Sequence, residues 1–184
     1  SGQSIFISEI DSNKRIKIDS QIEDILKTAN KLTQEKVMPN INEPRSILLL
    51  RKNHIEELKK TISYGGDWVI NIKSVSNVLE GENYVYALPE LIENKVIVLK
   101  DEIISQATLN DNENNISEIR NKINLLLASS LAEAKRRGSL INEIKLKSDS
   151  VKKLQIFIRQ NRGFNFQFEV VSLRDSKTAQ PIIV

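Results

Sequence analysis

The chain has 184 residues, 40% apolar and 28% charged, with a formal net charge of +3, one histidine and no cysteine. That balance belongs to a globular domain, and the missing cysteine excludes disulfides, thiolate metal sites and cysteine nucleophiles together, though it leaves the compartment open. No run of about 18 apolar residues exists to cross a membrane, and a chain of this length makes one compact domain or two small ones.

Ser1-Gly2 reads as the scar of a cleaved tag, with no initiator Met or signal peptide, so the chain is expected to be a piece of a longer protein. Charge is mildly uneven. Residues 1–92 carry 12 basic and 13 acidic groups, and residues 93–184 carry 15 and 11. That asymmetry is too small to imply a polyanionic partner by itself.

In chain order, Ile5–Ile10 and Arg15–Ile18 alternate as short strands, with Asp11-Ser12-Asn13 as the turn. Asp19 or Ser20 offers a helix cap, and Ile22, Ile25, Leu26, Ala29 and Leu32 form an apolar stripe. Pro39 cannot continue that helix, which is expected to end near Val37. A short run at Ile47–Leu50 follows, then a helix capped by Asn53 with Ile55, Leu58 and Ile62 on one face. Gly65-Gly66 break it, and a strand begins with Trp68, Ile70 and Ile72 inward, Asn71 and Lys73 outward. The strand turns through Glu80-Gly81-Glu82, pairs with Tyr84–Leu88, and Pro89 closes the half.

The second half repeats this order, and the stretch from the run at Ile47–Leu50 to the strand at Trp68 returns at an offset of 96. Lys95–Leu99 is a strand, and Glu102-Ile103 echoes Glu9-Ile10. Polar residues Asn110–Asn115 lead to a helix with Ile116, Ile119, Ile123, Leu126, Ser130 and Ala134 on a face widened by Leu127 and Leu131, stopped by Gly138. Ile144 and Leu146 form the short run, Asp149 the cap, and Val151, Leu154 and Ile158 the helix face. Asn161-Arg162-Gly163 are the break, Phe164, Phe166 and Phe168 the inward strand positions, and Pro181–Val184 a last strand. Eight of the twelve apolar positions from Ile47 to Ile72 meet an apolar residue at this offset, against about five expected by composition. The fold expected is α+β: two tandem, diverged β-(β)-α-β-α-β-β units, residues 1–92 and 93–184, each covering apolar surface of the other.

Little in the chain carries catalytic chemistry. His54 reads as an exposed residue at a helix start, with no partnered nucleophile or paired carboxylate in view. Asp111, Glu113, Asn115 and Glu118 invite a calcium reading, but Ile116 stands where the loop needs its tight-turn glycine. Gly65-Gly66 precede a strand, not the helix a phosphate loop requires. No catalytic residue, cofactor or metal site is assigned, and the chain is not expected to be an enzyme.

Lys135-Arg136-Arg137 is the one sharp charge cluster. With Arg159 and Arg162 it forms a candidate phosphate-contacting patch. Alternatively these cations end a helix, complement its dipole and stay in water, which the following Gly138 favours. Phe164, Phe166 and Phe168 could stack bases, yet their alternation with Asn165, Gln167 and Glu169 reads as core.

Trp68-Val69-Ile70-Asn71-Ile72, Asn77-Val78-Leu79-Glu80-Gly81-Glu82 and Asn94-Lys95-Val96-Ile97-Val98 give the chain a family likeness. Ala134-Lys135-Arg136-Arg137-Gly138 and the strand after Phe164 add to it. The chain resembles the C-terminal domain, of unknown function, of an uncharacterised cyanobacterial family of membrane-anchored coiled-coil proteins. The resemblance implies a non-enzymatic structural or protein-interaction domain with an unknown protein partner and a homodimer through the parent's coiled coil. The membrane would be reached only through segments outside this chain, and nucleic acid is not the expected partner. The element order is also similar to Alba and to the C-terminal domain of translation initiation factor three, so a nucleic-acid-binding module is the alternative; topology alone does not assign it.

Overall fold

A computed structural model describes residues 2–12, 17–110, 116–147, 149–161 and 164–184. The side chains of Asp11, Ile116, Gln155 and Arg159 are also outside the description. The fold is α+β, and the chain divides into two compact units, Ser1–Asn94 and Lys95–Val184. Each has its own hydrophobic core.

The first unit runs β1 (Ser4–Asp11), α1 (Ile18–Val37), β2 (Leu48–Leu49), α2 (Lys52–Ser63), β3 (Asp67–Ser74), β4 (Val85–Glu93). Its sheet has the order β1-β3-β4-β2. β3 pairs antiparallel with both β1 and β4, and β2 pairs parallel with β4. Helix α1 buries Ile22, Ile25, Ala29, Thr33 and Val37. Those spacings of three and four follow the helical period, so the buried line leaves the expected Leu32, which is 40% exposed, for Thr33. The helix begins at Ile18 with Lys17 as its unbonded N-cap, so neither Asp19 nor Ser20 caps it. Likewise α2 begins one residue before Asn53, with Arg51 at the N-cap and no side-chain cap bond.

Strand β4 does not stop at Pro89. It continues to Glu93, with Pro89 opposite Ile72. β2 covers β4 only at Val85 and Tyr86, so proline's missing N–H falls where β4 is an edge strand. Between α2 and β3 the chain turns through Gly65 and Gly66, at φ +94° and +115°, values that favour glycine.

The second unit runs β5 (Val96–Val98), β6 (Ile103–Leu109), α3 (Ile116–Arg136), β7 (Ile144–Lys145), α4 (Ser150–Gln160), β8 (Phe166–Val171), β9 (Ser176–Lys177), β10 (Ile182–Ile183). β5 pairs with β9, a pairing with no counterpart among the described pairs of the first unit. The remaining pairings repeat those of the first unit. In β1–β3, Ile10 faces Trp68 and Phe6 faces Ile72, with an irregularity between Ser4 and Phe6. In β6–β8, Leu109 faces Phe166 and Ser105 faces Val170, with an irregularity between Ile103 and Ser105. Leu48 and Leu49 pair parallel with Val85 and Tyr86, as Ile144 and Lys145 pair with Ile182 and Ile183. The Val75 amide donates to the Tyr86 carbonyl (2.8 Å), and the Leu173 amide to the Ile183 carbonyl (2.8 Å).

This register moves one set of expected equivalences. The offset of 96 holds for α2 and α4, where Ile62 and Ile158 are both buried. The buried Ile22, Ala29 and Thr33 of α1, in contrast, match Ile119, Leu126 and Ser130 of α3 at an offset of 97. In the strand it becomes 98, so Trp68, Ile70 and Ile72 match Phe166, Phe168 and Val170. Phe164 lies before the strand and is 64% exposed. The echo of Glu9-Ile10 at Glu102-Ile103 fails for the same reason: β6 starts at Ile103, and Ile10 corresponds to Leu109.

Candidate functional site

Helix α3 ends in a glycine motif. Gly138 has φ +106°, its amide donates to the Lys135 carbonyl, and the Ser139 amide donates to that of Ala134. That stop places Lys135, Arg136 and Arg137 on the last turn, where cations complement the dipole. Two of the three are held by carboxylates, and Lys135 is exposed. Arg136 holds both oxygens of Glu133, at 2.8 and 2.6 Å. Arg137 binds Glu133 at 2.6 Å and also Glu102, and donates to the Ile97 carbonyl at 3.2 Å. Its side chain is 27% exposed. Arg137 thus ties the end of α3 to the β5–β6 connection.

The electrostatics follow. Glu133 is lowered to about 2, first by Arg136 and then by Arg137. Glu102 is lowered chiefly by the Leu99 backbone N–H and next by Arg137. Glu133 raises Arg136, Glu102 and then Glu133 raise Arg137, and partial desolvation pulls Lys135 down. Such a network joins structural elements; it offers no nucleophile and no acid–base pair. Of the other sequence candidates, Arg159 lies on α4 with its side chain outside the described residues, and so does Arg162 entirely.

His54 is half-buried in the first turn of α2, not exposed, and its Nδ1 meets no hydrogen-bond partner. Asp111, Glu113 and Asn115 lie outside the described residues. Among the described residues no group of three His, Asp or Glu could hold a metal, and no helix is long and apolar enough to cross a membrane.

Residues 98–184 match the model of a family described as the DUF3084-associated C-terminal helical hairpin. The matched segment contains α3 and α4 together with strands β6 to β10. The chain is also 20% identical over 138 residues to "Uncharacterized protein alr4393" of Nostoc sp.. That alignment takes in 75% of this chain and 27% of the relative, so the chain spans about a quarter of that protein. No solved structure matches. The likeness is therefore to a domain of unknown function, and nothing in it indicates an enzyme family.

A groove of about 800 Å³ lies in the first unit between α1 and the segment 38–50, lined by Leu26, Met38, Ile41, Leu48 and Ile55. Two amide side chains at its base are already occupied. Asn30 Oδ1 accepts from the Ile47 and Leu48 amides (both 2.9 Å), and its Nδ2 donates to the Arg45 carbonyl (2.7 Å). Gln34 donates to the Ile41 and Glu43 carbonyls and accepts from the Arg45 amide. A ligand site needs a few convergent polar groups. Here they clamp the loop, so the groove is the by-product of a connection.

Asn71, expected to face water, is buried. It accepts from Ser4 Oγ at 2.5 Å and donates to Glu90, which also pairs with Lys73 at 2.6 Å. These side chains join β1, β3 and β4 across the sheet face opposite the helices. Trp68 and Phe166, in contrast, are only partly buried. The Trp68 indole donates to the Gly65 carbonyl at 3.0 Å. Phe166 stacks on Phe168 and meets Phe157 edge to face.

Proposed function

We propose that this chain is a non-enzymatic structural or protein-interaction module, the C-terminal part of a larger membrane-anchored protein with a coiled-coil middle. One observation carries the reading: the chain resembles a C-terminal domain of unknown function and covers only 27% of its Nostoc relative. The polar clusters described support it, because each is consumed in holding the fold. The two units are read as diverged copies of one β-α-β-α-β-β module, on the shared strand registers. A coiled-coil parent would bring two such modules together as a dimer, and the partner is a protein.

Fractionation of cells producing the full-length parent tests this. The parent should pellet with membranes, resist a carbonate wash, dissolve in detergent and elute as a dimer. A monomeric parent in the soluble fraction would remove both the anchor and the coiled coil. The nucleic-acid reading loses Arg137 as a free contact, because two carboxylates hold it. Fluorescence anisotropy with single- and double-stranded oligonucleotides at two salt concentrations is expected to show no binding at about 150 mM salt, where charges are screened beyond ~8 Å.

A further inference from the structure

Helices α2 and α4 hold the same place in the element order and turn the same residues inward. Leu58 and Ile62 answer to Leu154 and Ile158 on the two cores, and Ile55 to a half-buried Val151. Their outer faces part company. Among the exposed positions of α2 are Glu56, Glu57, Lys60 and Thr61. The corresponding positions on α4, also exposed, are Lys152, Lys153, Ile156 and Phe157. Carboxylates have become ammonium groups, and polar side chains have become apolar ones. At about 100° per residue, Lys152, Ile156, Gln160, Lys153 and Phe157 fill one outward arc of the helix.

Ile156 and Phe157 are 55% and 53% exposed, and Phe164, just past the helix, is 64% exposed. Two large apolar side chains with two lysines on one outer helix face are not an ordinary solvated surface. Charge names the occupant. Between Asp149 and Glu169 the sequence holds four basic residues and no carboxylate, whereas the matching stretch of the first unit holds Glu56, Glu57 and Asp67. Protein interface cores are depleted in lysine, and an isoleucine offers no face on which a base can stack. Cations beside protruding aliphatic and aromatic side chains suit the boundary of an anionic bilayer, where ammonium groups meet headgroup phosphates and the apolar groups enter the acyl layer. We propose that the outer face of α4 docks this domain on an anionic lipid surface. The proposal does not depend on an anchored parent, since the contact belongs to this chain alone.

Co-sedimentation of the 184-residue chain with vesicles of phosphatidylcholine, with and without phosphatidylglycerol, tests it. Binding to the anionic vesicles should be at least about fivefold tighter than to the neutral ones, the effect expected of even one interfacial lysine. The double variant Lys152→Glu, Lys153→Glu, which restores the residues found on α2, should weaken it by more than about tenfold. Ile156→Gln, which removes the apolar group at unchanged net charge, should weaken binding, and both variants should keep the wild-type circular dichroism. The matched change on the other helix, Lys60→Gln, should leave binding unaltered. Equal pelleting with both vesicle types, or undiminished binding by the double variant, overturns the proposal. Tighter binding to an oligonucleotide than to anionic vesicles, abolished by the same variant, would replace it with a nucleic-acid surface.

Discussion

The two short helices of this chain show what burial constrains and what it leaves free. The inner faces of α2 and α4 share apolar positions, because Leu58 and Ile62 on the first and Leu154 and Ile158 on the second each pack on their own unit's core. Any polar group placed there would lose its hydration without a partner. The outer faces answer to no such demand, and there the residues reverse in charge and polarity. A difference confined to a solvent face does not serve folding. It is where a distinct task for the second unit should be sought.

The largest expected effect tests the inner half of that comparison. Ile62→Ala and Ile158→Ala each empty a fully buried site at matched positions. Each should cost roughly 2–5 kcal/mol in urea unfolding, through lost transfer energy and a residual cavity. Similar losses would say that the two cores make equal use of their helices. A cost below about 1 kcal/mol at either position would mean that its side chain is not packed as described.

Connections differ more than cores do, and the next prediction uses that difference. In the first unit the path from α1 to β2 is held by Asn30 and Gln34, each with three bonds to loop backbone. In the second unit the matching connection leaves α3 by Gly138 and is pinned where the Leu140 amide donates to the Thr178 carbonyl. Gln34→Ala should cost about 2 kcal/mol, since three backbone groups lose partners that water only partly replaces. Gly138→Ala should cost about 1–2 kcal/mol, through strain at positive φ. A neutral Gln34→Ala would show that the loop holds its shape without the clamp.

How much of this was legible in the sequence depends on the range of the interaction. Helix periods and the glycine stops at Gly65 and Gly138 are local, and reading them placed the four helices and most strands. The offset of 96 held for α2 and α4 and then slipped by two, since five residues join α4 to β8 and three join α2 to β3. Asn71 was misread because alternation says which side a residue faces, not what lies on that side. The second carboxylate on Arg137, Glu102, is 35 residues away, beyond the reach of any local pattern. The outer face of α4 was within reach: the same alignment that matched Leu58 with Leu154 also set Glu56 against Lys152 and Lys60 against Ile156.

A smaller effect separates the two central strands. Asn71 is buried and bonded to Ser4 and Glu90, whereas Gln167 on β8 is exposed and bonded to Gln106. Asn71→Ala should cost about 1–2 kcal/mol, because it strips a buried strand pair of its bond and leaves a hydroxyl without its acceptor. Gln167→Ala should stay within about 0.5 kcal/mol. The reverse order in a denaturant series would mean that the second face of the first sheet is wetter than described.

The smallest effect concerns acid, and it should arise from the second unit. Glu133 is lowered from 4.5 to about 2 by Arg136 and Arg137. Glu102 is lowered by the Leu99 amide and by Arg137. In the first unit Glu23 is lowered chiefly by the exposed Lys27, with a smaller contribution from Lys59. A carboxylate with a depressed folded value stabilises the native state fully above its unfolded value. Between pH 4.5 and about 2 the unfolded chain binds protons that the folded one refuses, so stability falls with pH through that window. The urea midpoint should therefore be flat near neutrality and drop below about pH 4.5. Glu133→Gln removes one titrating group, so its midpoint should start lower at neutral pH and fall less steeply, converging on the wild type at the acid end. Arg136→Ala should soften the slope in part, because Arg137 still holds Glu133. Parallel wild-type and Glu133→Gln profiles across the window would mean that the arginines at the end of α3 do not hold this carboxylate in solution.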